Sequence, residues 1–401
     1  MGDLGDGTSL VGWQYLRRLQ DLLQTLHQHK AHPNRKLFYD QYVALLLFSF
    51  YNPVVQSLRQ MEQLTDLAKV RQQLGIKHAS LGCLSEASHV FDPKLVAKLF
   101  ETLAEQASAR DTPPRPEGLP SDIALIAVDG TLLEALARML WALWLGKYQN
   151  AVKVHMHYDV LRGVPVCVDL TPGNGDEKES LRLHLESGRL YIIDRGYRDY
   201  ELFAEIMAKG SSLVARLSSN AKMEVLETRS LSDADRAAGV VSDGIVCLGH
   251  EKTESRMPRV RVVHIQVKNL PARNLKPKVA KVDKKTKIIR THQEEFDAWL
   301  VTDRMDLSAE VIALLYRYRW HVEIFFRWFK CTLGCRHLFA ESPNGVLIQI
   351  YVALIAGLLV TLYTGQRPNR YAFSMLCFYL QGLASREELL AYLEKLKLKS
   401  V

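Results

Sequence analysis

Two aspartates in this chain each close a short apolar run. Asp129 follows Ile123-Ala124-Leu125-Ile126-Ala127-Val128, and Asp194 follows Leu190-Tyr191-Ile192-Ile193 and precedes Arg195-Gly196-Tyr197. Runs of this length and composition read as buried strands. A carboxylate at the end of such a strand is held rigidly where a sheet opens to solvent, and two such ends on neighbouring strands can share divalent ions. Phosphodiester chemistry needs this arrangement, because two ions about 3.5–4 Å apart can activate the attacking oxygen and steady the leaving one. Mg²⁺ suits the task, being satisfied by a few carboxylates together with water and phosphate oxygens. Taken singly, each aspartate has an ordinary alternative as a turn or helix-cap residue.

A third carboxylate sits in Tyr316-Arg317-Tyr318-Arg319-Trp320-His321-Val322-Glu323-Ile324-Phe325-Phe326-Arg327-Trp328-Phe329-Lys330. On one continuous helix, Tyr316, Arg319, Glu323 and Lys330 are spaced by three, four and seven residues and project from one face. That face offers a carboxylate to a metal ion, and two cations and a phenol to phosphates. An ordinary surface helix with an Arg319–Glu323 ion pair is the competing reading.

With these residues in view, the chain resembles the DDE transposases of bacterial insertion sequences, and among them the insertion sequence 4 group with its Tyr-Arg-Glu-Lys signature. The likeness is carried by Asp129 in Val-Asp-Gly-Thr, Asp194 in Ile-Ile-Asp-Arg-Gly-Tyr, the 316–330 segment, Lys153, His155 and Leu170-Thr171-Pro172-Gly173-Asn174. It spans roughly residues 35–365. The resemblance implies an α/β, RNase H-like mixed-sheet catalytic domain, with a β-rich insertion before the helix that bears the glutamate. It also implies cut-and-paste DNA transposition, with Asp129, Asp194 and Glu323 as ligands of two Mg²⁺ ions, for which Mn²⁺ can substitute. Tyr316, Arg319 and Lys330 would contact phosphates near the transposon end. The implied partners are double-stranded DNA, as terminal inverted repeats and target, and a second copy of the chain in a synaptic homodimer.

These residues need elements to position them. Apolar residues recur at three and four through 12–103, so residues 1–112 are expected to form an all-helical N-terminal domain, which the resemblance makes DNA-binding. Pro113, Pro114, Pro116 and Pro120 break any helix and mark a linker at 113–121. Runs at 123–128, 152–161, 164–170, 190–193 and 212–217 read as strands, with Arg162-Gly163 as a hairpin turn. Helical stretches at 178–186 and 200–208 fall between them. This order describes a mixed sheet covered by helices, assigned to residues 122–217 and 296–365. Residues 218–295 are expected to be a β-rich insertion, 309–332 one long helix, and 366–401 a C-terminal helical tail.

Hydrophobic residues make up 48% of the 401 and charged residues 24%, the balance of a chain that folds. The net charge of +8 favours a polyanionic partner, though only weakly. Six cysteines without paired spacing point to a reducing cytoplasm. An acidic start with no apolar run is no secretory signal, so a cytosolic product is expected, and the resemblance makes that the bacterial cytoplasm, at the nucleoid. Residues 346–363 are apolar enough to span a bilayer. Gln349 within them and the absence of a basic flank favour a buried core helix and no membrane.

Cys331, Cys335 and His337 cluster without an evident fourth ligand and read as core. His155, His157 and Asp159 alternate on one strand face and suit structural roles better than metal ligation. The lysine-rich stretch 276–290 is either a solvated loop or a track for the phosphate backbone. Trp299 reads as core, with base stacking as its alternative. Two other functions compete with active transposition: a DNA-binding regulator descended from a transposase, and a metal-dependent nuclease that cuts without joining.

Overall fold

The computed structural model describes residues 20–27, 35–52, 54–136, 138–142, 150–249, 257–267 and 296–399. The lysine-rich stretch lies outside the described residues, as do residues 1–19. In chain order the described elements begin with helices α1 (Gln20–His27), α2 (Tyr39–Tyr51), α3 (Leu58–Asp66), α4 (Ala68–Leu74), α5 (Leu81–Val90) and α6 (Pro93–Gln106). Strands β1 (Ala124–Glu134), β2 (Ala151–Asp159) and β3 (Val164–Pro172) follow. Next come α7 (Glu177–Leu183), β4 (Arg189–Ile193), α8 (Tyr200–Ala208), β5 (Ser212–Leu217), β6 (Met223–Thr228), α9 (Asp233–Ala237), β7 (Val240–Leu248), β8 (Met257–Val267) and β9 (Phe296–Thr302). The chain ends in α10 (Ala309–Tyr318), α11 (Trp320–Arg327), a π-helical turn (Trp328–Thr332), α12 (Pro343–Thr364), α13 (Arg370–Leu380) and α14 (Arg386–Lys399).

These elements form two compact units. One comprises Met1–Pro113, Asp129–Glu177 and Trp320–Val401, and the other Pro114–Val128 and Lys178–Arg319. The core of the first is α12, against which α2, α5 and α6 pack. Ser342 caps it by accepting from the Gly345 amide at 3.1 Å, and Pro343 opens its first turn. By length and composition α12 could cross a membrane, but 83% of its most apolar window is buried inside the chain. Gln349, a polar residue in its apolar run, is satisfied within the core: it accepts from the Phe339 amide at 2.8 Å and donates to the His337 carbonyl at 2.7 Å. Glycine is required where α12 approaches α5, since a Cβ at Gly345 would lie 2.5 Å from that of Ser88 and 2.6 Å from that of Ala340.

Also in this unit, β2 and β3 form the expected antiparallel hairpin, in the order β3-β2-β1. Its turn depends on Gly163, whose φ is +69°, and on Asp159, which accepts from the amides of Leu161 and Arg162 at 3.1 and 3.0 Å. Asp159 therefore builds a turn. His155, four residues earlier on β2, bonds Thr171 across the hairpin at 2.8 Å.

In the second unit the order is β1-β4-β5-β9-β8-β7-β6. The β1–β4 and β4–β5 pairs are parallel, and every pair from β5–β9 onward is antiparallel. The resulting architecture is mixed α/β, the class expected, with β6 to β8 supplied by residues 218–267. Helix α10 packs against β4, β5, β7, β8 and β9.

Two expectations require correction. Asp129 does not end a strand: β1 continues through it to Glu134, because Thr131, Leu132 and Leu133 sustain the extended conformation past the Asp-Gly step. Nor are residues 309–332 one long helix. They divide into α10, α11 and a π turn, with Arg319 between the first two.

Candidate active site

In the second unit the site begins with β4, whose Leu190, Tyr191, Ile192 and Ile193 are almost fully buried. Immediately beyond it Asp194 is half-buried with an extended backbone, and the chain turns into a short 3₁₀ segment, Arg195–Tyr197. The Tyr316 hydroxyl, near the C-terminal end of α10, donates to Asp194 Oδ1 at 2.8 Å. One turn on, the Arg319 guanidinium stands over the Tyr316 ring, 5.7 Å from its centroid. Both residues are buried, at 5% and 9% exposure.

This setting fixes two protonation states. Burial alone would raise the Asp194 pKa, but the Arg195 amide, the Tyr316 hydroxyl and the charges of Arg319 and Arg216 together hold it below the usual carboxylate value. The Tyr316 phenol moves the opposite way, raised first by burial and then by the neighbouring Asp194 charge. Tyr316 is thus a hydrogen-bond donor held on an ionised carboxylate, a partnership that its expected role on phosphate did not include.

Arg216 is a member of this group that the sequence reading did not single out. In the parallel pair β4–β5, Ile193 lies opposite Ala215, so the next residues, Asp194 and Arg216, fall side by side. Strand register carries that signal, and a single sequence does not display register. The Arg216 guanidinium also donates to the Asp297 carbonyl at 3.1 Å.

In the first unit Asp129 lies within β1, its Oδ1 accepting from the Gly130 amide at 2.8 Å. A Cβ at Gly130 would meet Glu177 Oε1 at 3.0 Å and Lys153 Cδ at 3.6 Å, so the glycine leaves room for that charged pair. Lys153 Nζ is 3.4 Å from Glu177 Oε1 and donates to the Gly175 carbonyl at 3.0 Å. Glu323 is half-buried on α11, which anchors itself through buried Val322, Phe325 and Phe326. Phe325 lies 5.3 Å from the Tyr158 ring on β2.

Lys330 sits in the π turn, which closes with the Leu333 amide donating to the Trp328 carbonyl at 3.0 Å. A π turn holds more residues per revolution than an α-helix. The seven-residue spacing from Glu323 to Lys330 therefore does not carry the one-face geometry expected of a regular helix.

The structure thus brings Asp194, Tyr316 and Arg319 together. Among the described residues it forms no group of three or more His, Cys, Asp or Glu side chains that could hold a metal ion. The Cys331 and Cys335 pair is no exception, Cys335 being buried and its thiol pushed well above its ordinary value by that burial. The expected ligand set of Asp129, Asp194 and Glu323 is composed of hard oxygen donors, and Asp194 is held in the ionised form a cation needs. In donor chemistry these residues fit Mg²⁺ or Mn²⁺.

Similarity to known proteins agrees with this chemistry. A putative transposase of Sinorhizobium fredii is 28% identical over 284 residues, covering 71% of each chain. A putative transposase for insertion sequence element IS4SA from Synechocystis is 22% identical over 330 residues, covering 80% of this chain and 83% of its own. Among solved structures, a piggyBac transposase synaptic complex with hairpin DNA aligns with 96% of this chain and 81% of its own at 10% identity, with a TM-score of 0.42, too low to decide the fold. The Transposase DDE domain model matches residues 120–359, well over half of the sequence and including Asp129, Asp194 and Glu323, and the chain belongs to that family.

Proposed function

We propose that this DDE transposase cuts at the terminal inverted repeats of its own insertion sequence and joins the freed ends to target DNA, by cut-and-paste. In the first step water attacks the phosphorus of the scissile phosphodiester and the 3′ oxygen leaves as a hydroxyl. In the second, that 3′ hydroxyl attacks a target phosphodiester and displaces the target's own 3′ oxygen, so that one bond forms for each one broken. Asp129, Asp194 and Glu323 would hold two Mg²⁺ ions, with Mn²⁺ able to replace them. Such ions, when bound, activate the attacking oxygen and offset charge on the leaving one.

The chain's own residues hold the substrate and the carboxylates. Arg319 offers a planar fork to phosphate oxygens and Lys330 a point charge. Tyr316 orients Asp194 in the free protein, and its hydroxyl can turn to a phosphate when cations take over the carboxylate. Residues 1–112 would recognise end DNA, linked through 113–121 to a catalytic domain of 122–217 and 296–365 interrupted by 218–295, with 366–401 as a tail. A homodimer pairing the two ends, at work on the nucleoid in the cytoplasm, completes the reading.

The observation that supports it best is Asp194, ionised at the end of β4 and bonded to Tyr316 of the signature segment. Asp129→Ala, Asp194→Ala and Glu323→Ala test it. Each is expected to abolish cleavage of end DNA while leaving mobility shifts of that DNA nearly unchanged, since metal ligands act on chemistry more than on affinity. Cleavage retained by any of the three removes that residue from the triad. Cutting without joining in the wild type would assign a nuclease instead.

A further inference from the structure

Residues 303–308 lead into α10, and the β-rich region grips them through buried charge. Arg261 on β8 is 1% exposed and pairs in two-pronged fashion with buried Asp243 on β7, at 2.8 and 2.7 Å. Its remaining nitrogen donates to the carbonyls of Arg304, at 3.0 Å, and Leu307. Arg229, just beyond β6, donates to the Met305 carbonyl at 3.1 Å, and its amide donates to the Asp243 carbonyl at 2.9 Å.

Asp235 on α9 completes the grip. Its Oδ2 accepts from the amide and hydroxyl of Ser232 at 2.9 and 2.8 Å, and its Oδ1 accepts from the Glu310 amide in the first turn of α10, at 2.8 Å.

A buried ion pair is weak evidence for stability as such, because desolvation cancels much of the attraction. What this one does is specific: both arginines spend donors on the main chain of one six-residue stretch. First-turn amides of a helix lack intrahelical partners. The residue preceding α10, Ser308, makes no side-chain cap bond, and the Glu310 amide is served instead by Asp235, 75 positions earlier. The path of α10 is therefore set from the β-rich region. Its ten residues make a rod of about 15 Å, and Tyr316 sits near the far end.

We propose that Asp235, Arg261 and Asp243 are positioning residues: the β-rich region clamps the entry of α10 and thereby sets the Tyr316–Asp194 hydrogen bond. This rests on the functional reading above for its link to cleavage, but not for its link to structure.

The test uses the full-length chain and two readouts, amide hydrogen exchange over 309–319 and single-turnover cleavage of end DNA. In Asp235→Ala, exchange over 309–319 should accelerate and cleavage fall about tenfold, the loss of one well-placed hydrogen bond. Combined with Tyr316→Phe, it should be no slower than the slower single variant, because both act through one contact. Ser232→Ala, which removes only the local partner, should change exchange around 229–238 and nothing over 309–319. Should Asp235→Ala not fold, Asp235→Asn, which keeps one acceptor oxygen, is read by the same two assays.

Unchanged exchange over 309–319 in the Asp235 variant, or cleavage losses that multiply in the double variant, would overturn the clamp. If the wild type cleaves nothing, the functional reading fails while exchange still decides the clamp.

Discussion

Residues 309–332 and 346–363 both read as long helices, and only the second lies in one. Helix α12 runs unbroken for 22 residues, is buried for most of its length and is capped at both ends, by Ser342 and by Gly365 in the left-handed conformation. The other stretch becomes α10, then α11, then a π turn. Regularity follows what each must do. A helix apolar on every side optimises packing by staying periodic, whereas the signature segment must deliver particular side chains, and local departures from α geometry re-aim them. The side chains proposed to act on DNA lie where the regular pattern yields.

The contrast predicts that injury to the two stretches separates into stability and chemistry. The largest effect is expected at Gly345→Ala. A Cβ there meets neighbouring Cβ atoms at 2.5 and 2.6 Å, and overpacking of this kind costs about 1–3 kcal/mol. Thermal denaturation should show a lower Tm, while cleavage per folded molecule stays unchanged. A loss of cleavage with an unaltered Tm would collapse the distinction.

Tyr316→Phe should do the reverse. Removing the donor on Asp194 is expected to slow cleavage about tenfold, near 1.4 kcal/mol, with a smaller change in Tm. The sign of the pH effect follows from the depressed pKa of Asp194. That group is ionised above its folded pKa, so any stability it lends is present above the usual carboxylate value and lost as pH falls through the depressed one. With the donor gone the pKa rises, and the acid limb of the rate–pH profile should move to higher pH. A limb that stays in place would separate Tyr316 from the ionisation of Asp194.

The smallest effect belongs to Lys330. Lys330→Ala should weaken end binding modestly and make its dependence on salt shallower by about one ion. An unchanged salt slope would mean that the π turn points Lys330 away from DNA.

How legible these features were in the sequence depends on the kind of interaction that made them. Strands β4 and β5 announce themselves as short apolar runs, and α12 as a long one over 346–363, because burial is written in local composition; its caps at Ser342 and Gly365 come from the structure. The break at Arg319 is hidden, since its φ of −50° and ψ of −33° remain helical and the apolar period runs through it. The continuation of β1 past Asp129 is obscured by an Asp-Gly step that ordinarily signals a turn. Helix α13 was not distinguished within the tail.

In the site, the residue types of Asp194, Tyr316 and Arg319 were legible, but the Tyr316–Asp194 bond joins residues 122 positions apart. Arg216 beside Asp194 and the Arg261–Asp243 pair likewise depend on strand register, which pattern alone does not encode.

The central claim is that Asp194 serves a metal ion in DNA cleavage, and exchanging its hard oxygen for sulfur tests it most directly. Thiolate ligands favour softer cations over Mg²⁺. Single-turnover cleavage of end DNA by Asp194→Cys should be lost in Mg²⁺ and recovered, at least in part, in Mn²⁺, with end binding preserved throughout. Cleavage by this variant in Mg²⁺ at the wild-type rate would contradict the account.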